Sequence, residues 1–227
     1  MSISRDPLPL FPLDVVLFPG MVLPLHIFEM RYRKMINYCL RRDQPFGLVW
    51  SEQEPLEMSD AVRLVGTTAR ITESRRIADG RYNITTVGSE RFVVHDLHHH
   101  EPYLTGRVEA YPLQQRAHPL VPMLSQQLVP LLTDYLELLA DLAERELGPE
   151  RMPVDDAMLA YVVAVYYQCQ NWRKQELLQI ESLPDLMRQE IDLLRTEIPL
   201  LRETVRRKET GRFPPLYGGT VSQYGLN

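Results

Sequence analysis

The pattern of the sequence changes near Tyr111. Over residues 8–111, short apolar or alternating runs are interrupted by proline, glycine and aspartate, whereas leucine, glutamate, alanine and arginine dominate beyond Pro122. Alternating runs bounded by turn residues indicate β-strands, and longer segments with apolar residues three or four positions apart indicate helices. The sequence therefore predicts an α+β chain, in which a β-rich domain is followed by an α-helical bundle.

The same change of pattern sets the expected domain boundaries. We expect a β domain over residues 1–113, a helical bundle over residues 114–210 and an irregular tail, rich in glycine and proline, over residues 211–227. A domain of about 100–150 residues buries roughly two-thirds of the surface that its unfolded chain exposes. Each of the two larger parts therefore has enough chain to form its own core.

One helix is predicted within the β domain, over residues 29–42. Its apolar side chains recur at helical spacing: Tyr32, Met35, Ile36, Cys39 and Leu40. The clearest hairpin spans residues 61–87 and turns at Asp79-Gly80, because glycine adopts the positive φ that such turns require. Further strands are predicted over residues 46–50, 91–97 and 103–111.

The second half is predicted to contain four helices. The first begins near Leu120, with a bend or a late start at Pro130, and ends at Gly148, a residue suited to a left-handed cap. The last begins at Pro184, which is acceptable in a first turn, and kinks or divides at Pro199. Two shorter helices lie between them, behind Asp155 up to residue 169 and over residues 172–181.

The overall charge argues against a polyanion as the main partner. The formal net charge is −5 and the pI is near 5.7, whereas nucleic-acid affinity comes largely from clustered lysine and arginine that neutralise phosphates.

The first residues lack the apolar stretch of a signal peptide, and the longest nearly apolar run, residues 157–167, is too short to span a bilayer. We therefore expect a cytoplasmic protein without a membrane or nucleic-acid partner. Cys39 and Cys169 are predicted to be buried apolar side chains in a reducing compartment.

The sequence lacks the common catalytic motifs. None of its three lysines follows a glycine, which excludes the phosphate-binding loop of P-loop NTPases. No serine lies in a G-x-S-x-G turn, and neither G-x-G-x-x-G nor H-E-x-x-H occurs. We therefore expect a protein that is not an enzyme, with no catalytic residues and no cofactor.

One histidine cluster could suggest a metal site. His95, His98, His99 and His100 are followed by a glutamate, and imidazole with carboxylate suits divalent ions. In an extended segment, however, alternate side chains point to opposite faces, so His98 and His100 could converge while His99 faces away. We favour a polar strand end, and no metal ligand is predicted. His26, which lies in an apolar segment, is predicted to be a core histidine.

A distinctive order of motifs runs through the first hundred residues. It opens with Leu8-Pro9-Leu10-Phe11-Pro12-Leu13, Val15-Val16-Leu17-Phe18-Pro19-Gly20-Met21 and Leu23-Pro24-Leu25-His26-Ile27-Phe28-Glu29. It continues with Gly66-Thr67, Asp79-Gly80-Arg81-Tyr82, Arg91-Phe92 and Tyr103-Leu104. This order resembles the Lon substrate-binding domain family, closely over residues 8–111 and only in general character beyond. Met30 stands where the family often has proline, a departure that affects helix initiation rather than binding.

The resemblance implies a PUA-like β pseudo-barrel with one inserted helix, joined to a C-terminal helical bundle. In Lon proteases this region helps to engage unfolded or tagged substrates before the ATPase and protease domains act. The chain resembles a stand-alone member without those two domains. The implied function is a non-catalytic recognition or adaptor protein for unfolded or exposed apolar polypeptide segments, with a separate protease or chaperone as an open further partner.

Six residues are candidate substrate contacts, because flexible methionine and aromatic side chains suit varied apolar ligands: Phe18, Met21, Met30, Arg31, Tyr32 and Met35. The alternative for each of them is a place in the core.

Two other functions stay open at this point. PUA-like folds in other families bind RNA, although the acidic net charge argues against it here, and a small-molecule-binding domain is the third hypothesis.

Overall fold

The computed structural model describes residues 7–52, 64–149 and 151–210. The predicted tail over residues 211–227 lies outside the described residues, as do residues 61–63 at the start of the predicted hairpin. The described part contains these strands and helices: β1 Leu8–Leu13, β2 Val22–Ile27, α1 Met30–Arg42, β3 Phe46–Trp50, β4 Val65–Arg76, β5 Tyr82–His98, β6 Thr105–Ala110, α2 Val121–Ala143, α3 Asp156–Tyr166, α4 Asn171–Gln179 and α5 Leu183–Glu209. The predicted α+β class is confirmed.

The described chain divides into two compact units. Unit 1 contains the described residues up to Pro112, with all six strands and α1, together with Cys169–Gln179, which include α4. Unit 2 contains Leu113–Gln168 and the described residues from Ile180, with α2, α3 and α5. Helix α4 therefore belongs with the sheet, although in the sequence it lies between two helices of unit 2. The domain boundaries given above stay predictions.

Unit 1 is built on a sheet with the strand order β2-β5-β4-β3-β1-β6. Strand β1 pairs with β3 in parallel, and the other pairings are antiparallel. Because β6 pairs with β5 as well as with β1, five strands are linked in a ring of pairings. Within the described residues, β2 joins this ring through β5 alone and is an edge strand.

Strand β5 is longer than the sequence indicated. The sequence predicts a strand up to residue 87 and another over residues 91–97, but β5 runs without a break from Tyr82 to His98. Register shifts against β4, between Thr67 and Ala69 and between Ile71 and Glu73, mark irregularities of the β-bulge type. Bulges bend a strand and increase its twist, which allows one long strand to pair with β2 at one end and with β6 at the other. The sheet is consequently not a regular barrel.

Phe92 lies in an apolar cluster of unit 1, and glycines make room for its ring. The cluster also contains Leu8, Leu10, Val49 and Val94. A Cβ atom on either Gly47 or Gly66 would lie 2.6 Å from Phe92 Cζ. On Gly66 it would also lie 2.4 Å from the Leu48 carbonyl oxygen, a backbone atom that cannot swing aside. Glycine is therefore required at these strand positions for close packing of the core.

Helix α4 is held on the sheet by buried polar contacts. Arg91 of β5 donates from Nη1 to the Leu178 carbonyl at 2.6 Å and from Nε to the Tyr111 carbonyl at 3.1 Å. Its guanidinium carbon lies 4.9 Å from the centroid of the Tyr111 ring. Gln175 Nε2 donates to the Val65 carbonyl at 2.9 Å. Because Leu178 is next to last in α4, Arg91 satisfies a carbonyl at a helix C-terminus, where a cation is favourable.

Side-chain caps begin two helices of unit 2. The Asp155 carboxylate accepts a hydrogen bond from the Met158 N–H at the start of α3, and Ser182 Oγ accepts one from the Asp185 N–H at the start of α5. Each cap satisfies a backbone donor that has no partner inside the helix. The predicted start of a helix behind Asp155 is therefore confirmed.

One predicted helix end is wrong. Helix α2 ends at Ala143 with Glu144, at φ 52, as its left-handed cap, not at Gly148. Lys208 supplies the reason, because its Nζ lies 2.7 Å from Glu144 Oε1 and donates to the carbonyls of Asp141 and Leu142. This ammonium group satisfies carbonyls at the helix end and lowers the pKa of Glu144. At Pro199 a kink or a division was predicted; α5 runs through this residue without being divided, and the kink stays a prediction.

Glu190 is an exception to the apolar inner face of α5. Glu190 is fully buried, and neither of its carboxyl oxygens has a hydrogen-bond partner among the described residues. Burial raises the pKa of this carboxyl well above its usual value. Glu190 therefore favours the neutral acid in the folded chain, because an isolated charge is costly in a low-dielectric environment.

Candidate functional site

Two large apolar side chains are exposed where β2 ends and α1 begins. Ile27, the last residue of β2, is buried, but Phe28 is 61% exposed and Met30 is 60% exposed. Glu29 between them is the N-cap residue of α1 and has extended backbone angles, φ −68 and ψ 136. The chain thus changes from strand to helix at this point and leaves Phe28 and Met30 outside the core. We call these two residues the junction patch.

The structure separates the six predicted contact residues into two groups. Met30 is exposed and Arg31 is partly exposed, whereas Phe18, Met21, Tyr32 and Met35 are buried. Arg31 is held in place, because its Nε donates to Glu29 Oε2 at 2.9 Å and its guanidinium carbon lies 4.5 Å from the Tyr32 ring centroid. Of the six, Met30 and Arg31 can therefore touch a ligand without a rearrangement of the core.

His26 and Phe28 belong to this surface and are missing from the predicted contacts. The interpretation of His26 as a core residue is wrong, because Leu23 and Ile27 of β2 are buried while His26 is exposed. Alternation along a strand places His26 on the opposite face, and this signal was present in the sequence. His26 Nδ1 lies 2.6 Å from Asn83 Oδ1, and its ring stacks on that of Phe28 with centroids 6.2 Å apart.

An open depression of about 670 Å³ lies on the exposed face of β2, β5 and β4. The strand register arranges much of its lining in two rows across the strands. One row contains Pro24, Thr85 and Glu73, and the next contains His26, Asn83 and Arg75. Thr85 Oγ1 donates to Glu73 Oε2 at 3.4 Å. The depression therefore presents both hydrogen-bonding groups and charges of both signs beside the junction patch.

The turn between β4 and β5 forms a polar rim near His26. The predicted Asp79-Gly80 turn is confirmed, since Gly80 has a φ of 81. The Arg81 backbone N–H donates to Asp79 Oδ1 at 3.0 Å, and this bond, with the Arg81 side chain, holds the pKa of Asp79 below its usual value. Arg81 Nη1 also lies 3.4 Å from His26 Nε2. Arg33 Nη2 of α1 donates to the Asp79 carbonyl at 3.2 Å, which ties α1 to the turn.

The segments around the junction patch are basic, although the chain as a whole is acidic. Residues 29–34 and 73–81 contain three acidic side chains, Glu29, Glu73 and Asp79, and six basic ones, Arg31, Arg33, Lys34, Arg75, Arg76 and Arg81. These nine charged side chains are exposed or partly exposed. This part of the surface therefore combines apolar contact area, hydrogen-bonding groups and a local excess of positive charge.

Comparison with protein families identifies the chain. A family model described as the ATP-dependent protease La (LON) substrate-binding domain matches residues 7–196. The chain belongs to the Lon substrate-binding domain family. The resemblance found in the sequence is thus confirmed, and it extends beyond the β-rich segment into the helices. The matched family is the substrate-binding region of Lon proteases, not their catalytic region.

Curated relatives of this Lon-family chain include Lon proteases. Lon protease 2 of Syntrophobacter fumaroxidans is 28% identical over 172 residues, which cover 74% of this chain and 21% of the relative. Lon protease 2 of Myxococcus xanthus is 36% identical over 106 residues, which cover 45% of this chain and 13% of the relative. The matched region thus amounts to 21% or less of the length of these two Lon proteases.

Two solved structures share the fold of the Lon-family chain. The Lon N-terminal domain protein from Xanthomonas campestris has a TM-score of 0.55 and 22% identity, and the match covers 81% of this chain and 96% of that one. The N-terminal domain of Lon protease from the Mycobacterium avium complex has a TM-score of 0.60 and 18% identity, with coverage of 84% and 98%. The architecture described above is therefore that of a Lon N-terminal domain.

Other candidate reactive residues of the Lon-family chain lie elsewhere. Burial raises the pKa of Cys39 to about 12, so its thiol stays protonated and is a poor nucleophile. His95 Nε2 lies 2.8 Å from Glu109 Oε2, and the rings of His98 and His100 stack with centroids 6.3 Å apart. In the described ranges, no three His, Cys, Asp or Glu side chains converge as a set of metal ligands.

None of the helices described here has the combined length and apolarity needed to cross a bilayer.

Proposed function

We propose that this Lon-family chain is a non-catalytic recognition protein that binds unfolded or exposed apolar polypeptide segments at the junction patch. The observation that carries the proposal is the exposure of Phe28 and Met30 at 61% and 60%, with a single residue between them at a strand–helix junction. Full burial of one such side chain against a partner stabilises by about 1.5–3 kcal/mol. A folded protein buries most of its large apolar side chains, whereas an unfolded segment exposes them in sequence order, so an unfolded segment is the partner that suits this contact.

The residues around the patch have different roles in this proposal. Met30 adapts to varied apolar groups because its thioether side chain is flexible, and Phe28 gives a flat apolar surface that His26 supports by stacking. Arg31 supplies a positively charged rim. The other predicted contacts, Phe18, Met21, Tyr32 and Met35, are buried and would reach a bound segment only after a rearrangement of the core.

The finer description of the fold is also a proposal. The ring of pairings among β5, β4, β3, β1 and β6 supports a PUA-like pseudo-barrel, and α2, α3 and α5 support a helical bundle. We further propose that the protein acts in the cytoplasm and passes bound segments to a separate protease or chaperone. The relatives named as Lon proteases support this link to proteolysis.

Fluorescence anisotropy tests the proposal directly. Fluorescein-labelled α-lactalbumin would be titrated with the chain in two forms, the native protein and the reduced, carboxymethylated protein, which stays unfolded. We expect saturable binding of the unfolded form at micromolar protein concentrations and none of the native form. Equal affinities for both forms, or no binding of either, would contradict the proposal.

The double substitution Phe28→Ser with Met30→Ser is expected to weaken binding of the unfolded probe by about ten- to a hundredfold, because two apolar contacts are lost. The free energy of unfolding should change by less than about 0.5 kcal/mol, since both side chains are exposed. Leu200→Ser is the matched control, because Leu200 is 59% exposed but lies on α5 in unit 2. If the control weakens binding as much as the double substitution, the junction patch is not the site.

RNA binding is the second candidate, and the six basic side chains near the β4–β5 turn are the observation that favours it. Affinity that depends on phosphate contacts falls steeply as salt is added. An electrophoretic mobility shift with single-stranded RNA at low salt, lost at higher salt, would support this function. Absence of a shift at low salt would exclude it.

A further inference from the structure

The open edge of β2 has main-chain groups whose directions follow from two contacts. The Gly88 N–H donates to the Met21 carbonyl at 2.9 Å, and Thr86 Oγ1 donates to the Leu23 carbonyl at 2.9 Å. Gly88 and Thr86 lie on the β5 side, and successive residues of a strand direct their main-chain groups to opposite edges. The main-chain groups of Leu23, Leu25 and Ile27 therefore point toward β5. Those of Val22, Pro24 and His26 point toward the open edge.

This edge offers two hydrogen-bond donors and three acceptors. Val22 and His26 each present an N–H and a C=O, whereas Pro24 presents only a C=O because its nitrogen carries no hydrogen. At about 3.3 Å per residue, these groups extend over about 13 Å. Within the described residues β2 pairs with β5 alone, and Pro24 and His26 are exposed. Such an edge is a template for another extended chain.

We propose that the polypeptide segment bound at the junction patch is an extended strand, neutral or acidic in charge, that pairs with the open edge of β2. This inference rests on the proposed function and adds the bound conformation and the charge of the segment. Continuity of the surface supports it. β2 leads directly into the junction patch, so a strand paired with His26 would continue alongside Phe28 and Met30.

The charge of the segment follows from the surroundings of the edge. Glu73, Arg75 and Arg76 lie on β4, which β5 separates from this edge. The remaining charged side chains of the two segments are four basic and two acidic: Arg31, Arg33, Lys34 and Arg81, with Glu29 and Asp79. Arg81 reaches to 3.4 Å from the His26 ring, and the carboxylate of Asp79 is already paired with Arg81. A lysine-rich strand would meet like charges here, whereas glutamate and aspartate side chains would meet opposite ones.

Pro24 argues against a second copy of the chain as the occupant. If two β2 strands paired through their open edges about a two-fold axis, Pro24 would lie in the middle of both strands and neither could donate there. Proline on an edge strand is a recognised barrier to such self-association. A client segment without proline at the facing positions can still donate to the Pro24 carbonyl, so the edge remains usable for a different chain.

The first arm of the test changes the edge and measures affinity for reduced, carboxymethylated α-lactalbumin, an acidic unfolded probe. Val22→Pro removes an outward N–H and is expected to weaken binding by about five- to tenfold, whereas the matched Val22→Ala should stay within about twofold. Pro24→Val adds an outward N–H and is expected to tighten binding by about fivefold. Pro24→Val keeps the test decisive if Val22→Pro fails to fold, because valine suits a strand.

The second arm uses eight-residue peptides from the α-lactalbumin sequence, selected because they bind the wild-type chain. Each peptide is made in two N-methylated forms. One phase is methylated at the odd-numbered residues and the other phase at the even-numbered residues. A paired strand directs half of its N–H groups to β2, so one phase should lose about tenfold in affinity and the other should bind nearly as well as the unmodified peptide. Replacement of the acidic residues by lysine should weaken binding as well.

The outcomes separate the inference from the function on which it rests. If the wild-type chain binds no unfolded probe, the proposed function fails and the strand with it. If the probe binds, but Val22→Pro and Pro24→Val leave its affinity unchanged and both methylation phases behave alike, strand pairing is overturned while the proposed function stands. A wild-type dimer in sedimentation that Val22→Pro dissociates would assign the edge to a second copy and also overturn it. Equal affinity for the lysine peptides would overturn the assigned charge.

Discussion

Replacement of Arg91 by methionine is expected to lower the free energy of unfolding of unit 1 by about 3–5 kcal/mol, since a hydrogen bond to a charged group contributes about 1.5–3 kcal/mol. Arg91 is 2% exposed and donates to the carbonyls of Tyr111 and Leu178. Methionine matches much of its length but leaves both buried carbonyls without this donor. Arg91→Lys should fall between wild type and methionine, because one ammonium group cannot reproduce the fork of the guanidinium.

Urea unfolding followed by tryptophan fluorescence measures this effect. The two tryptophans, Trp50 in β3 and Trp172 in α4, both lie in unit 1, so the signal reports on the sheet and on the helix that Arg91 holds. Arg70→Met is the control, since Arg70 is exposed on β4 and its replacement should cost less than about 0.5 kcal/mol. If Arg91→Met costs no more than the control, the buried contacts do not hold α4.

Replacement of Glu190 by glutamine is expected to remove a pH dependence of stability. Burial raises the folded-state pKa of Glu190 well above the value of about 4.5 that applies to the unfolded chain. Between these two values the folded chain binds a proton that the unfolded chain has released. The wild-type free energy of unfolding therefore falls, relative to the variant, by about 1.4 kcal/mol for each pH unit in that window. Below the unfolded-state pKa, Glu190 is protonated in both the folded and the unfolded wild-type chain. The difference in free energy of unfolding between wild type and variant is then constant.

Urea unfolding followed by circular dichroism at a series of pH values from 4 to 8 tests the prediction for Glu190. Asp192→Asn removes a carboxylate from an exposed position of the same helix and is the control for loss of charge alone. The curves for wild type and Glu190→Gln should diverge as the pH rises above about 4.5. Curves that stay parallel, or that diverge as much for the control, would show that ionisation of Glu190 does not destabilise the folded chain.

The parts of the fold that could be predicted from the sequence depend on local interactions. The predicted helix over residues 29–42 matches α1, Met30–Arg42, because its apolar stripe and flanking charges are set within four residues of each other. The turn at Gly80 was predictable because few residues other than glycine tolerate its φ. Strand β3 has the predicted bounds, Phe46–Trp50.

The parts that could not be predicted depend on contacts between distant residues. The pairing of β5 with both β2 and β6 requires bulges that no local motif announced. The packing of α4 on the sheet depends on Arg91 and Gln175, two polar residues whose types suggest a surface position. The early end of α2 depends on Lys208, which lies more than sixty residues further along the chain.

The site was only partly predictable because residue type does not distinguish a buried aromatic or methionine from an exposed one. Among the predicted contacts on α1, Met30 and Arg31 reach the surface, whereas Tyr32 and Met35 face the core. The helical period of α1 separates these two pairs and would have indicated the difference. Phe28 follows the last residue of β2, where the alternation of the strand ends, so its exposure had no signal in the pattern.

Site-specific photo-crosslinking tests the central claim, that unfolded segments bind at the junction patch. p-Benzoylphenylalanine would replace Met30 in one variant and Leu200, which is equally exposed, in another. After irradiation with the unfolded α-lactalbumin probe, we predict a crosslinked product from position 30, absent with the native probe, and little product from position 200. Equal crosslinking from both positions, or none from position 30 under conditions in which the probe is bound, would contradict the account.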